Sequence, residues 1–175
     1  MPAVKDLLQG KWLGHPLHPA LVHVPVGLWP AALVFDLLSI SGFGGNVFVR
    51  ASFYCILGGL IVAVPAMAAG VADWWDIKPD KPAWKIGIYH MIANAVATAV
   101  WLVNLLLRLR LRDSAGGASE LLLLLSVVGA CILVFSGYLG GRMVYGHGIG
   151  IARHSKRRWR EIARHGGARV PPLKE

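Results

Sequence analysis

The sequence predicts an all-α membrane protein: four transmembrane helices in an antiparallel bundle, followed by a basic C-terminal amphipathic tail. Three observations predict it. Of 175 residues, 55% are apolar and only 15% charged, with a mean hydropathy of +0.55; an average soluble domain has about 45–50% and about 25%. The apolar residues gather in four runs, each as long as the roughly 20 residues a bilayer span requires. The excess positive charge, +9 overall, lies almost wholly on one side of those runs.

Residues 1–18 form an N-terminal segment, 19–148 the membrane domain and 149–175 the basic tail. The first span covers about 19–40 (PALVHVPVGLWPAALVFDLLSI), the second about 47–72, the third about 86–107 and the fourth, opening on five leucines, about 121–141. The runs are too long for strands and show no alternation. Short linkers, 41–46 and 108–120, close the first and third turns, and a polar loop with Pro79 and Pro82 joins the second span to the third. Neighbours joined so briefly pack antiparallel. Pro19 suits the first position of a helix. Pro25 and Pro30, inside the first span, are expected to kink it or to free backbone carbonyls. The first apolar run, holding three prolines, reads as a retained span rather than a signal peptide.

Four spans put both termini and the 73–85 loop on one side. That side carries fourteen lysines and arginines; the other carries Arg50, Arg108, Arg110 and Arg112. Such a bias marks the cytoplasmic face, so a multi-pass protein of the bacterial inner membrane with both termini cytoplasmic is expected. The tail stretch IGIARHSKRRWREIAR, with Trp159 and Ile162 at i,i+3, reads as a basic helix that lies on anionic lipid headgroups. No nucleic-acid-reading module accompanies the charge. Cys55 and Cys131 stand in different spans without CxxC pairing and read as small core residues.

The seven histidines all belong to the cytoplasmic half. His15, His18 and His23 enter the first span, His90 opens the third, and His147 follows the fourth. His23 and His90 fall roughly 6–8 Å inside the apolar boundary, where an ionisable group marks function by default. His90, Asn94 and Thr98 recur at i, i+4, i+8 as one polar stripe, and Asn94 or Thr98 is placed to orient a histidine through its second nitrogen. Interfacial hydrogen bonding is the plain alternative for each histidine alone.

Neutral imidazole ligates haem iron, zinc, copper and non-haem iron. Haem needs axial ligands from facing helices and room for a flat macrocycle; Ala66, Ala69, Gly70, Ser136, Gly137, Gly140 and Gly141 provide small residues at that end, close helix packing being the other reading. Arg142 can meet a propionate or act as a positive-inside anchor. A transition-metal ion (copper, zinc or iron) would instead take three or four of His15, His18, His23, His90 and His147, with Asp73 or Asp76. HExxH, GxSxG, Walker and dinucleotide motifs are absent, so any enzymatic role is that of a redox component. Asp36 reads as structural, pairing with Arg50 across the first linker. The histidines that open each pair of spans hint at a two-hairpin repeat, but the side chains beyond them do not line up.

The runs GHPLHPALVHVPVGLW (14–29) and GYLGGRMVYGHGIG (137–150), with His90 between them, resemble the bacterial membrane family catalogued as domain of unknown function 2231. The resemblance spans nearly the whole chain except the long basic tail. It places the family's recurrent polar residues on His15, His18, His23, His90, Arg142 and His147. Relatives joined to Rieske-type iron–sulfur or cytochrome modules imply redox work, and this favours haem over a structural metal. The expectation is one b-type haem, or two, bound on the cytoplasmic side, with His23 and His90 as ligands and His15, His18 and His147 available for a second site. Electrons would pass to quinone or a cytoplasmic redox protein. The rival expectations are a transition-metal protein and an accessory subunit, either as a homo-oligomer or within a larger complex.

Overall fold

Each of the four apolar runs folds as one unbroken helix. The computed structural model describes residues 4–44, 46–110, 119–151, 156–167 and 169, with the side chains of 156–159 and 162 excepted. A short α1 (Val4–Leu8) and a tight turn at Lys11–Leu13 precede α2 (Leu17–Ile40), α3 (Asn46–Trp74), α4 (Pro82–Arg110) and α5 (Glu120–Gly141). One wide turn, Arg142–Gly146, extends α5, and α6 (Lys156–His165) lies in the tail. No strand occurs among the described residues. Helices α2 to α5 are each long and apolar enough to cross a membrane. Their outer faces leave Val34, Ile61, Val64, Leu106, Leu124 and Val134 exposed, as a lipid-facing surface requires.

Local chemistry sets the helix ends. Helix α2 starts two residues earlier than expected, so Pro19 sits inside the first turn, where backbone N–H groups lack intrahelical partners anyway. The helix runs through Pro25 and Pro30 without a break. It stops where Gly42 takes φ 79° and the Phe43 amide reaches back to the Leu38 carbonyl at 3.0 Å, a left-handed glycine cap. Pro82 opens α4 with φ already helical. Ser119 caps α5, its hydroxyl accepting from the Leu122 amide. Trp159 and Ile162, expected to share a face of the tail, lie outside the described side chains.

Helices α2 and α3 form one antiparallel hairpin and α4 and α5 another; α3 against α4 and α2 against α5 close the bundle. The core centres on Trp29, Ala32, Ile56, Leu60, Ala97 and Trp101. Trp29 and Trp101 stack with centroids 5.5 Å apart and planes 21° from parallel. Each indole fits because the helix beside it carries glycine: a Cβ on Gly59 would come within 2.2 Å of Trp29 Nε1, and one on Gly129 within 2.7 Å of Trp101.

These pairs expose a repeat. His18 and His90, Trp29 and Trp101, and Asp36 and Arg108 stand 72 positions apart (18 to 90, 29 to 101, 36 to 108). On the return helices the offset is 70: Gly59 and Gly129, Ala66 and Ser136, Gly70 and Gly140. The side chains do line up, contrary to the sequence expectation, because the two halves differ by two residues in hairpin length and a single offset misses half of the matches. All three of the first pairs meet between the hairpins. They mark an axis running from the histidine end, through the tryptophans, to Asp36 and Arg108, and parallel repeats about such an axis are a known membrane architecture.

At the far end of this axis Arg108 Nη2 donates to Asp36 Oδ2 at 2.6 Å. The Ser126 hydroxyl donates to the same oxygen at 2.6 Å, Asn104 Nδ2 to Ser126 Oγ at 2.9 Å, and Arg108 Nε to Asn104 Oδ1 at 2.8 Å. The two charged side chains are 0% and 3% exposed. The expected Asp36–Arg50 pair is thus corrected. Arg50 is exposed near the start of α3, whereas Arg108 faces inward from α4. Arg108 thus belongs to the bundle interior and not to the linker that follows α4.

At the near end the N-terminal segment is tied to the loop after α3. Lys5 pairs with Asp76, and Gln9 Nε2 donates to the Ala72 carbonyl at 2.9 Å and to Asp76 Oδ2 at 2.6 Å. The Lys5 ammonium, with help from the Gln9 amide, holds the Asp76 carboxyl below the usual carboxylate range.

Candidate functional site

The site begins with two imidazoles in equivalent places. His18 lies in the first turn of α2 and His90 in the third turn of α4. Their rings face each other across the hairpin boundary, with centroids 6.3 Å apart and planes at 89°. Each ring is held by its own hairpin. His18 Nδ1 is 2.8 Å from the Ala66 carbonyl on α3, and His90 Nδ1 is 2.8 Å from the Ser136 carbonyl on α5. A carbonyl only accepts, so both Nδ1 atoms carry a proton, and in the neutral ring Nε2 then holds the free lone pair.

Glycine makes the seats. A Cβ on Gly70 would meet the His18 ring at 2.8 Å, and one on Gly140 would meet the His90 ring at 3.1 Å. Part of the small-residue stretch thus seats the imidazoles themselves rather than a flat cofactor edge. Gly137 and Gly141 have nothing within 4 Å, so neither seats an imidazole.

The two histidines differ at Nε2. Asn94, one turn below His90, has its amide nitrogen 3.1 Å from His90 Nε2 and 2.9 Å from the His90 carbonyl. The Thr98 hydroxyl donates to the Asn94 carbonyl at 2.8 Å and contacts Met67 Sδ at 3.7 Å. The expected stripe of His90, Asn94 and Thr98 is therefore a chain of hydrogen bonds facing the interior. The residue equivalent to Asn94 in the first hairpin is Val22, so His18 has no such neighbour.

The other histidines do not join them. His23 comes five residues after His18, roughly 140° around the helix, and is exposed on the outer face of α2. His15 is exposed before α2, its Nδ1 3.2 Å from the Pro16 carbonyl, and His147 is half-buried beyond the wide turn. Arg142 is exposed at the end of α5, and the hydrogen bonds of His18 and His90 do not involve it. The expected five-histidine cluster is corrected accordingly. Among the described residues no three histidines, cysteines, aspartates or glutamates come together to hold a metal ion. The spacing of the histidines is the reason: His15 precedes α2, and His18 and His23 stand on different faces of it, so only one histidine of the H-P-L-H-P-A-L-V-H run faces α4. The signal that picks His18 was present in the sequence. His18 and His90 each precede a tryptophan by eleven residues, and His23 does not.

Fold and site together define a four-span membrane protein built from two equivalent hairpins, with a histidine pair at one end of their shared axis. The chain belongs to the family of domain of unknown function 2231, described as predicted membrane proteins, whose model matches residues 14–153. No curated protein and no solved structure gives a significant match.

Proposed function

We propose that the protein is a b-type haem-binding electron-transfer protein of the membrane, in which His18 and His90 would hold the haem. The observation that carries this reading is the pair itself: two imidazoles from separate hairpins, 6.3 Å apart, each with Nδ1 on a backbone carbonyl. Ligating histidines hold their other nitrogen in this way. A bare zinc or copper ion asks the protein for three or four ligands, and two do not suffice. A haem asks for two, because the porphyrin supplies the rest, and its iron would provide one-electron chemistry. His18 replaces His23 in this assignment. Asn94 has a second acceptor, the His90 carbonyl, to hold when Nε2 is engaged.

The charge bias favours the cytoplasmic leaflet for this end of the bundle, and quinone or a soluble redox protein would then be the partner reached. Reduced-minus-oxidised spectra of protein purified from haem-sufficient cells test the proposal. The expected result is a Soret band and sharp reduced-state bands, lost in His18→Ala and His90→Ala and kept in His23→Ala. A protein without a Soret band and without haem in a pyridine extract overturns it.

A further inference from the structure

We propose that Asp36 and Arg108 act as a pairing key, dictating that the first hairpin packs against the second of the same chain and not against the same hairpin of another copy. The repeat poses the problem that a key solves. Equivalent positions on the two hairpins carry the same residue at His18 and His90 and again at Trp29 and Trp101. Two first hairpins, or two second hairpins, could therefore offer one another the same histidine and tryptophan contacts. Only the third pair tells the halves apart. At that level the first hairpin presents Asp36 and the second Arg108, buried to 0% and 3% exposure and joined at 2.6 Å.

A first hairpin packed on its own kind would bring two aspartates together in apolar surroundings, and a second hairpin two arginines. Like charges without partners are excluded there. A slip of one helical turn, about 5.4 Å, would separate Asp36 from Arg108 and leave both buried alone. The neighbours reinforce the difference. Asn104 and Ser126, both on the second hairpin, close the network, while their equivalents Ala32 and Ile56 are apolar. The side chains that bind Asp36 in this network, Arg108 and Ser126, come from the second hairpin. A buried ion pair is weak evidence for stability, because an apolar pair of similar volume serves as well. Its distinctive effect is on which partner is chosen, and that separates the two roles experimentally.

The test uses the full chain with Cys55 and Cys131 replaced by serine. Spin labels are placed through Val64→Cys and Val134→Cys, equivalent lipid-facing positions at 62% and 74% exposure. In the natural background one narrow label-to-label distance is expected. The charge exchange Asp36→Arg with Arg108→Asp should keep it. Asp36→Leu with Arg108→Leu should retain helix content and thermal midpoint, yet give a second distance population of about a tenth or more. Chains carrying only the Val64→Cys label should then show an intermolecular distance that the natural pair does not. Should the leucine pair fail to fold, Asp36→Asn with Arg108→Gln is read in the same way. A single narrow distance in the uncharged variant, or a folded charge exchange with a changed distance, overturns the key.

Discussion

The two ends of the hairpin axis hold cross-hairpin pairs of opposite kinds. At the near end His18 and His90 face each other, but each is satisfied at home, Nδ1 on a carbonyl of its own hairpin. At the far end Asp36 and Arg108 hold each other directly, Nη2 on Oδ2, and are sealed from solvent, with Asp36 Oδ1 and Arg108 Nη1 left without a hydrogen bond among the described residues. A pair whose members do not depend on one another is available to a third party; a pair whose members bind one another is closed. The same repeat thus makes a receptive end and a locked end. The Trp29–Trp101 stack stands between them, about 16 Å of helix from the histidines.

The largest expected effect breaks the locked end. Arg108→Leu leaves Asp36 buried without its counter-ion, and removing one partner of such a pair costs about 3–5 kcal/mol. His18→Leu in the haem-free protein removes one net hydrogen bond, about 1 kcal/mol. Thermal unfolding in detergent should therefore rank Arg108→Leu far below His18→Leu, with the Asp36→Leu, Arg108→Leu double variant recovering most of the loss. Equal losses from the two single variants would remove the contrast between the ends.

Much of this was legible in the sequence, for reasons that differ by element. The four spans were readable because hydrocarbon tolerates nothing but long apolar helices, and the expected bounds 19–40, 47–72, 86–107 and 121–141 fall within a few residues of α2 to α5. The polar stripe of α4 was readable because i, i+4 spacing fixes which side chains share a face. The choice between His18 and His23 depends on how α2 is rotated, which apolar composition leaves open when every face of the helix is apolar. The Asp36–Arg108 contact joins residues far apart in the chain, and nothing local distinguishes Arg108 from the linker arginines after it. The repeat alone would have revealed both, since aligning His18 with His90 brings Trp29 onto Trp101 and Asp36 onto Arg108 in one step.

A smaller effect sharpens the receptive end. Gly70→Ala would place a methyl 2.8 Å from the His18 ring, whereas Gly140→Ala would place one 3.1 Å from His90. Both rings must shift, His18 more. Displacing the support of a ligand typically costs at least about tenfold in affinity. Haem retained per protein through a detergent wash should therefore fall in the order natural chain, Gly140→Ala, Gly70→Ala. Unchanged thermal midpoints in both variants would show that the loss is one of ligand placement. Full haem content in Gly70→Ala would argue that the His18 seat is not used.

The smallest effect tests what surrounds the receptive end. Asp76 ties the N-terminal segment to the loop after α3 through Lys5 and Gln9, and its carboxyl titrates below the usual carboxylate range because of them. A folded-state pKa below the unfolded value means that the tie contributes fully above the unfolded carboxylate pKa and is lost as pH falls through the lowered one. Both side chains are substantially exposed, at 36% and 54%, so the ion pair contributes no more than about 1 kcal/mol. Backbone amide exchange of residues 4–9 should therefore be slow at neutral pH and quicken in acid, after correction for intrinsic rates, while that of α2 to α5 holds. Asp76→Asn should show the quickened exchange already at neutral pH. It should leave the Asp36–Arg108 pair untouched, because Asp76 lies beyond the opposite end of α3 and makes no contact with that pair.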